Sequence, residues 1–187
     1  MSETEKLECM VDLETLGQGN NAALLSIGAC LFYPSGDGVD IHTNHRFEVF
    51  VKPQSCVEIG MKMDTSTVLW WMAPERGEAR DVLMGKMEKA VHIRDALHRF
   101  SAWLGSDKPV WGNGATFDNV ILRNAYNLAG IPCPWMFWND RCYRTMKNVA
   151  PTVKMQREGT HHSAMWDAIS QAKHLQAINR FITNSGE

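Results

Sequence analysis

The first apolar segment of the chain carries Val11-Asp12-Leu13-Glu14-Thr15, which we predict to be part of a buried β-strand. Residues two apart in a strand project to the same face, so Asp12 and Glu14 lie side by side while Val11 and Leu13 face the core. Two neighbouring carboxylates repel each other unless a cation lies between them. A solvated edge strand with two surface acids is the alternative, and the apolar neighbours make it less attractive.

Two further acidic positions follow, one in the middle of the chain and one near its end. Asp118 comes after the glycine-rich segment 112–117 and directly before a helical pattern that begins at Asn119, so it suits an N-cap, a ligand role or both. His162 is placed on the loop before the last helix, with Asp167 in the first turns of that helix. A polar loop containing His161 and His162 is the alternative for this segment.

The four acids and the histidine suit the hydrolysis of a phosphodiester bond. Two divalent cations about 3.5–4 Å apart can hold the attacking and the leaving oxygen, and such hard cations take carboxylate oxygens as ligands. A histidine whose pKa is near neutrality is the usual general base. The order and context of the motifs therefore predict a two-metal nuclease site formed by Asp12, Glu14, Asp118, Asp167 and His162.

These motifs resemble those of the DEDDh group of 3′–5′ exonucleases, the superfamily of ribonuclease T and of DnaQ-like polymerase proofreading subunits. The third motif of this group is a histidine, any residue, an alanine, two residues and an aspartate. His162, Ala164 and Asp167 fit this pattern, and His161 does not. Three longer segments further resemble the exonuclease VIII-like and phage exonuclease branch, namely 11–17, 69–72 and 111–118.

The resemblance implies an α/β, ribonuclease H-like fold, in which a mixed sheet with an antiparallel meander and parallel strands is flanked by helices. Residues 1–187 would form one exonuclease domain with a core of about 8–180. Asp12, Glu14 and Asp167 would bind one Mg²⁺ or Mn²⁺ ion, and Asp12 would bridge to a second ion at Asp118. The enzyme would remove 5′-mononucleotides from the 3′ end of single-stranded nucleic acid, DNA rather than RNA.

Substrate contacts are expected beside the first two motifs and on the helix that carries two adjacent tryptophans. Stacking of a base on an aromatic ring contributes about 1–3 kcal/mol and tolerates any base. One of two adjacent tryptophans on a helix, however, usually belongs to the core. The predicted substrate-binding residues are Thr15, Leu16, Phe117, Asn113, Trp70 and Trp71. Five cations are candidate phosphate contacts or ordinary surface charges, namely Arg76, Arg80, Arg141, Arg144 and Lys147.

Apolar periodicity and turn residues predict the individual elements. Strands are predicted at 10–15, 24–33, 46–51, 109–111 and 134–138, the first three as an antiparallel meander. Helices are predicted to follow Asp64 or Thr65, to begin at Pro74, and to span residues 119–129. Another helix has its core face at Ile93, Leu97, Phe100 and Leu104. The last helix has one side formed by Ala168, Ala172, Leu175 and Asn179.

Composition places the chain among ordinary globular proteins. Its 187 residues are enough for one domain, 44% are hydrophobic and 21% charged, and no segment is apolar enough to span a bilayer. The acidic N-terminus lacks the features of a signal peptide, and 5 scattered cysteines favour free thiols over a zinc or disulfide framework. We therefore expect a protein of a reducing cytoplasm without a membrane partner, and the resemblance to phage exonucleases implies a bacterial or phage-infected cell.

Net charge and residue usage bear on the partners. A formal net charge of −2 argues against a protein that coats nucleic acid but suits an enzyme that holds only a strand end. A surplus among the 11 methionines and 7 tryptophans could line a homodimer interface. Two alternatives to the exonuclease stay open: a catalytically silent module that binds nucleic-acid 3′ ends, and a dinucleotide or oligoribonucleotide hydrolase with the same site.

Overall fold

The computed structural model describes residues 6–36, 45–105, 107–159 and 162–185. Its strands are β1 (Glu8–Thr15), β2 (Leu24–Phe32), β3 (Arg46–Phe50), β4 (Val110–Gly112) and β5 (Asp140–Cys142). Its α-helices are α1 (Pro53–Glu58), α2 (Thr65–Met72), α3 (Gly77–Lys86), α4 (Ile93–Leu104), α5 (Asp118–Ala129), α6 (Tyr143–Val149) and α7 (Ala164–Ser185).

The five strands form one mixed sheet with the order β3-β2-β1-β4-β5, which confirms the predicted mixed sheet. β1, β2 and β3 form an antiparallel meander. β4 lies parallel to β1 on its other side, and β5 lies parallel to β4. β1 is therefore the central strand, and the carboxyl ends of β1 and β4 meet at the same edge of the sheet.

Different helices cover the two faces of β1. Val11 and Leu13 pack in the larger core with residues of α4 and α5, whereas Met10 packs in a smaller core with residues of α7. Since Asp12 and Glu14 alternate with Val11 and Leu13, they lie on the α7 face, beyond Met10. The predicted division of this strand into a core face and an acidic face is confirmed.

Two glycines let the helices that carry the other acids begin close to β1. Gly28 of β2 pairs with Asp12, and a Cβ at this position would overlap the backbone nitrogen of Met165 at the start of α7. Gly112 of β4 lies beside β1 on the other side, and a Cβ there would lie 2.9 Å from the Cβ of Asp118. A side chain at either position would therefore push a helix start away from β1.

The predicted helices are confirmed, with differences at their ends. The four predicted core residues of α4 are buried, and α5 starts at Asp118 instead of Asn119. The helix predicted from Pro74 begins as a 3₁₀ helix, Pro74–Arg76, before α3. Asp64 is the N-cap residue of α2, but its carboxylate accepts a hydrogen bond from the backbone N–H of Gln18 at 2.8 Å and does not cap the helix. None of the described helices is long and apolar enough to cross a membrane.

One predicted strand is wrong. Residues 134–138 contain no strand, because Phe137–Asn139 forms a 3₁₀ helix and the edge strand β5 starts only at Asp140. Trp135 gives the reason, since its buried ring donates from Nε1 to Asp140 Oδ1 at 2.8 Å. This hydrogen bond holds the chain in a turn, so the strand can start only after it.

Candidate active site

The four predicted acids and His162 line one cleft of about 560 Å³ beside the carboxyl ends of β1 and β4. Asp12 and Glu14 come from β1, Asp118 is the first residue of α5, and Asp167 lies in the first turn of α7. Ligand atoms of Glu14, His162 and Asp167 all lie within 4.8 Å of one another. The fold thus brings together the three motifs from distant parts of the chain.

Burial raises the pKa values of three of these acids, and repulsion by the other acids adds to the rise at Asp12 and Glu14. Loss of hydration is the largest cause for Glu14, whose pKa rises to about 8 with further contributions from Asp167 and Asp118. Burial and the charges of the other three acids raise the pKa of Asp12 well above its usual range. Burial also raises the pKa of Asp118 to about 6, although backbone N–H groups such as that of Gly114 act in the opposite direction.

This set of side chains fits hard divalent cations. Carboxylate oxygens are the ligands that Mg²⁺ and Mn²⁺ prefer, and a cation between them would stabilise their charged forms. One side-chain cation is already present, because Arg157 Nη1 donates to Asp167 Oδ1 at 2.7 Å. The backbone N–H of His162 donates to Oδ2 of the same carboxylate at 3.1 Å. About half of the Arg157 side chain is exposed, so a metal ion could displace it.

His162 lies at the edge of the cleft in an unusual backbone conformation. Its φ of +59° is in the left-handed region, which residues with a side chain seldom adopt. Its ring meets Trp70 edge to face, with the ring centroids 5.3 Å apart, and Arg76 Nη1 lies 3.1 Å from Nε2. Because a guanidinium can only donate, Nε2 is the acceptor of this contact.

A second, smaller cleft of about 230 Å³ contains most of the predicted substrate contacts. Thr15, Trp70, Trp71 and Phe117 line it, and Phe117 and Asn113 line the acidic cleft. The two tryptophans differ: Trp70 is 39% exposed, whereas Trp71 is 6% exposed and donates from Nε1 to the carbonyl of Thr15 at 3.0 Å. Trp71 therefore fixes the end of β1, and Trp70 is the ring that faces solvent.

The remaining predicted contacts divide into those at the clefts and those away from them. Leu16 is not among the described residues that line either cleft, and it packs against two core clusters. Arg144 and Lys147 line the acidic cleft. Arg80 donates to the carbonyl of Met72 at the end of α2, and Arg141 donates to the carbonyl of Trp138.

Arg157 and Gln171, which no motif indicates, line the acidic cleft and donate hydrogen bonds to its acids. Gln171 donates from Nε2 to Asp12 Oδ1 at 2.8 Å. The sequence contains a signal for Gln171, because it follows Asp167 by one helical turn on the same face. Arg157 lies in an irregular segment, where no periodicity could place it.

Several comparisons relate this fold and site to known proteins. The profile of one family, described as the 3′–5′ exoribonuclease Rv2179c-like domain, matches residues 7–179. No curated protein sequence matches the chain.

Solved structures with the same fold are distant in sequence. The nuclease domain of 3′hExo, a DEDDh family member bound to rAMP, is 12% identical with a TM-score of 0.61, over 98% of this chain and 95% of that chain. E. coli exonuclease I in complex with a dA16 oligonucleotide is 12% identical with a TM-score of 0.65, over 96% of this chain and 43% of that chain. The chain therefore spans less than half the length of exonuclease I. Cell-death related nuclease 4 is 13% identical with a TM-score of 0.53, over 94% of this chain and 64% of that chain.

The comparisons confirm the ribonuclease H-like fold and the DEDDh resemblance, whereas the phage branch stays a prediction. The family profile covers nearly the whole chain and all five residues of the predicted site. The protein therefore belongs to the Rv2179c-like 3′–5′ exoribonuclease domain family and is a 3′–5′ exonuclease, with the fold that 3′hExo, a DEDDh family member, also has.

Proposed function

We propose that this protein is a metal-dependent exonuclease that removes 5′-mononucleotides from the 3′ end of single-stranded nucleic acid, with RNA as the preferred substrate. The observation that carries the proposal is the convergence of Asp12, Glu14, Asp118, Asp167 and His162 on one cleft. The exoribonuclease description of the family and the rAMP bound to 3′hExo favour RNA. DNA, which the phage resemblance favours, is the competing prediction, and the dA16 complex of exonuclease I is its support.

The acids suit two divalent cations, Mg²⁺ or Mn²⁺. Asp12, Glu14 and Asp167 would hold one ion, and Asp12 and Asp118 would hold the other. When bound, the ions would activate the attacking water and stabilise charge on the attacking and leaving oxygens. The raised pKa values of Asp12, Glu14 and Asp118 support this assignment, because the protein leaves much of their charge without a compensating cation.

His162 would act as the general base and take the proton of the attacking water at Nε2. Arg76 now donates to this nitrogen and stacks on Trp70, with 4.2 Å between its guanidinium carbon and the ring centroid. A phosphate is a stronger acceptor for a guanidinium than a neutral imidazole is. A substrate phosphate would therefore draw Arg76 away and open Nε2 to water.

The 3′-terminal nucleotide would lie in the smaller cleft. Trp70 and Phe117 would offer aromatic surfaces to bases. The hydroxyl of Thr15 donates to the carbonyl of Gly17 at 2.7 Å and can still accept a hydrogen bond from the terminal sugar. Phosphates would contact Arg144 and Lys147. Leu16, Asn113 and Trp71 remain predicted contacts as well.

A time course with 5′-labelled single-stranded oligonucleotides tests the proposal. RNA and DNA 20-mers are incubated in Mg²⁺, in Mn²⁺ and in EDTA, and a 3′-phosphorylated RNA of the same sequence is the control for the requirement for a free 3′-OH. We expect a ladder that shortens from the 3′ end, is absent in EDTA and in the blocked RNA, and forms faster with RNA. Faster degradation of DNA would reverse the substrate preference.

Two other outcomes would replace the proposal. Binding of the 20-mer without cleavage, by folded and metal-loaded protein, would favour a silent 3′-end binding module. Faster turnover of a dinucleotide than of the 20-mer would favour a dinucleotide hydrolase.

Location and assembly are also predictions. We expect the protein in the cytoplasm of a bacterial or phage-infected cell, and a homodimer is one assembly that its surplus of methionine and tryptophan would suit. Sedimentation at micromolar concentration would test the dimer directly.

A further inference from the structure

Gln171 is a polar residue of the acidic cleft to which the two-metal scheme assigns no role. It lies on α7, one turn after Asp167, and is 5% exposed. Residues four apart on a helix share a face, so α7 brings Asp167 and Gln171 to the cleft together. The amide of Gln171 donates from Nε2 to Asp12 Oδ1 at 2.8 Å.

The carboxylate of Asp12 is repelled by three other acids of the cleft. Glu14, Asp118 and Asp167 all act on it electrostatically. Among the described residues, Gln171 is the side chain that donates a hydrogen bond to it. An uncharged amide can hold one carboxylate oxygen without neutralising the group, and Oδ2 keeps its lone pairs for a cation. Groups that orient a ligand in this way commonly determine how tightly a metal binds.

We infer that Gln171 is a positioning residue, which fixes the carboxylate of Asp12 in the orientation that metal binding requires. The inference rests on the proposed function, because it assumes that Asp12 binds a divalent cation. Gln171 acts through Asp12 and touches no reacting atom.

The same helix offers a matched control. Gln176 is 4% exposed and donates from Nε2 at 2.8 Å, but its acceptor is the backbone carbonyl of Tyr33, outside the residues that line the acidic cleft. The Oε1 atoms of Gln171 and Gln176 are both buried without a hydrogen-bond partner among the described residues. Loss of either amide should therefore have a similar effect on folding, and only one should affect the metal.

The test compares Gln171→Met and Gln176→Met, two substitutions that keep the length of the side chain and remove its amide. Calorimetric titration with Mn²⁺ measures metal affinity, and thermal unfolding in EDTA measures stability. We expect similar losses of stability in the two variants, and a loss of about 10–100-fold in Mn²⁺ affinity for Gln171→Met alone. In the exonuclease assay, Gln171→Met should need more Mn²⁺ for half-maximal rate and should approach the wild-type rate at saturation.

Wild-type affinity in Gln171→Met, or an equal loss in both variants, would overturn the inference and leave the proposed function intact. Failure of the wild-type protein to bind Mn²⁺ would overturn both. Gln171→Asn provides a second variant, because its shorter side chain stays polar but cannot reach Asp12. It should lose Mn²⁺ affinity to the same extent, and retained affinity would contradict the inference.

Discussion

The two acidic regions of the sheet differ in what balances their charge. At the start of β5, Asp140 accepts two hydrogen bonds from Arg123 Nη2 at 3.0 Å, one from Asn119 at 3.1 Å and one from Trp135 at 2.8 Å. In the acidic cleft, burial and mutual repulsion raise the pKa values of Asp12 and Glu14 instead. Asp140 thus holds α5 and the preceding turn against the edge strand. In the cleft, by contrast, the repulsion among the acids lowers the stability of the folded protein.

This difference separates an acid that the fold requires from acids that a ligand requires. A carboxylate that an arginine and two further donors engage is neutralised by the protein itself. Carboxylates that are left to repel one another indicate a site where a bound cation completes the balance. The contact between Arg157 and Asp167 falls between the two cases, because the arginine is half exposed and can be displaced.

The largest expected effect is on the catalytic rate, which should fall on substitution of an acid in the cleft and not on substitution of Asp140. Asp12→Asn should reduce the rate about 10³-fold or more, because it removes a charged metal ligand at nearly constant shape. The fold should remain intact by circular dichroism. Asp140→Asn is the control, and its folded fraction should retain the wild-type rate. Metal-dependent activity in purified Asp12→Asn would remove the basis of the site assignment.

The neighbouring tryptophans of α2 also differ in role, because Trp71 supports the fold whereas Trp70 is available to the substrate. Trp71→Ala should lower the free energy of unfolding by about 3–5 kcal/mol, since it empties a buried site. Trp70→Ala should lower the unfolding free energy by less than Trp71→Ala does, and it should raise KM for a single-stranded substrate about 5- to 100-fold, which corresponds to one stacked base. Chemical denaturation and steady-state kinetics on both variants measure the two effects. An unchanged KM in Trp70→Ala would remove this ring from the substrate path.

Substitutions in the two acidic regions should change the free energy of unfolding in opposite directions. Asp140→Asn should lower the free energy of unfolding by about 1–3 kcal/mol, because an amide cannot accept all the hydrogen bonds that the carboxylate accepts. Glu14→Gln in EDTA should raise it by about 1–2 kcal/mol, since it removes a repelling charge. Urea unfolding of both variants at pH 8 measures the difference. Equal destabilisation would mean that Glu14 is a structural acid as well.

The pH dependence of the metal-free protein should follow from Glu14. Its pKa in the folded protein is about 8, above the ordinary value of 4.5. Between these values the folded protein retains a proton that the unfolded chain has lost, so stability falls as the pH rises. Thermal unfolding in EDTA should show a Tm that decreases between about pH 5 and pH 8, with a smaller slope in Glu14→Gln. Addition of Mg²⁺ should restore more stability at pH 8 than at pH 5, and a constant Tm in EDTA would contradict this picture.

Much of the fold and most of the acidic site follow from local patterns. Alternation around Asp12 and Glu14 predicts which side chains share a face of β1. The spacing of Ile93, Leu97 and Phe100 predicts the buried face of α4. The failure at residues 134–138 has a different origin, because the hydrogen bond from Trp135 to Asp140 joins two side chains within an irregular segment that has no periodic pattern. No propensity of the segment reveals that partner.

The acids that are available, and the apolar faces of their strand and helices, follow from neighbours a few positions apart along the chain. The tertiary structure alone decided that Gln171 donates to Asp12, that Arg157 pairs with Asp167, and that Trp70 faces solvent while Trp71 is buried. These contacts depend on how closely α7 and α2 approach the sheet. At α7 that distance is set by Gly28, whose missing side chain leaves room for the start of the helix.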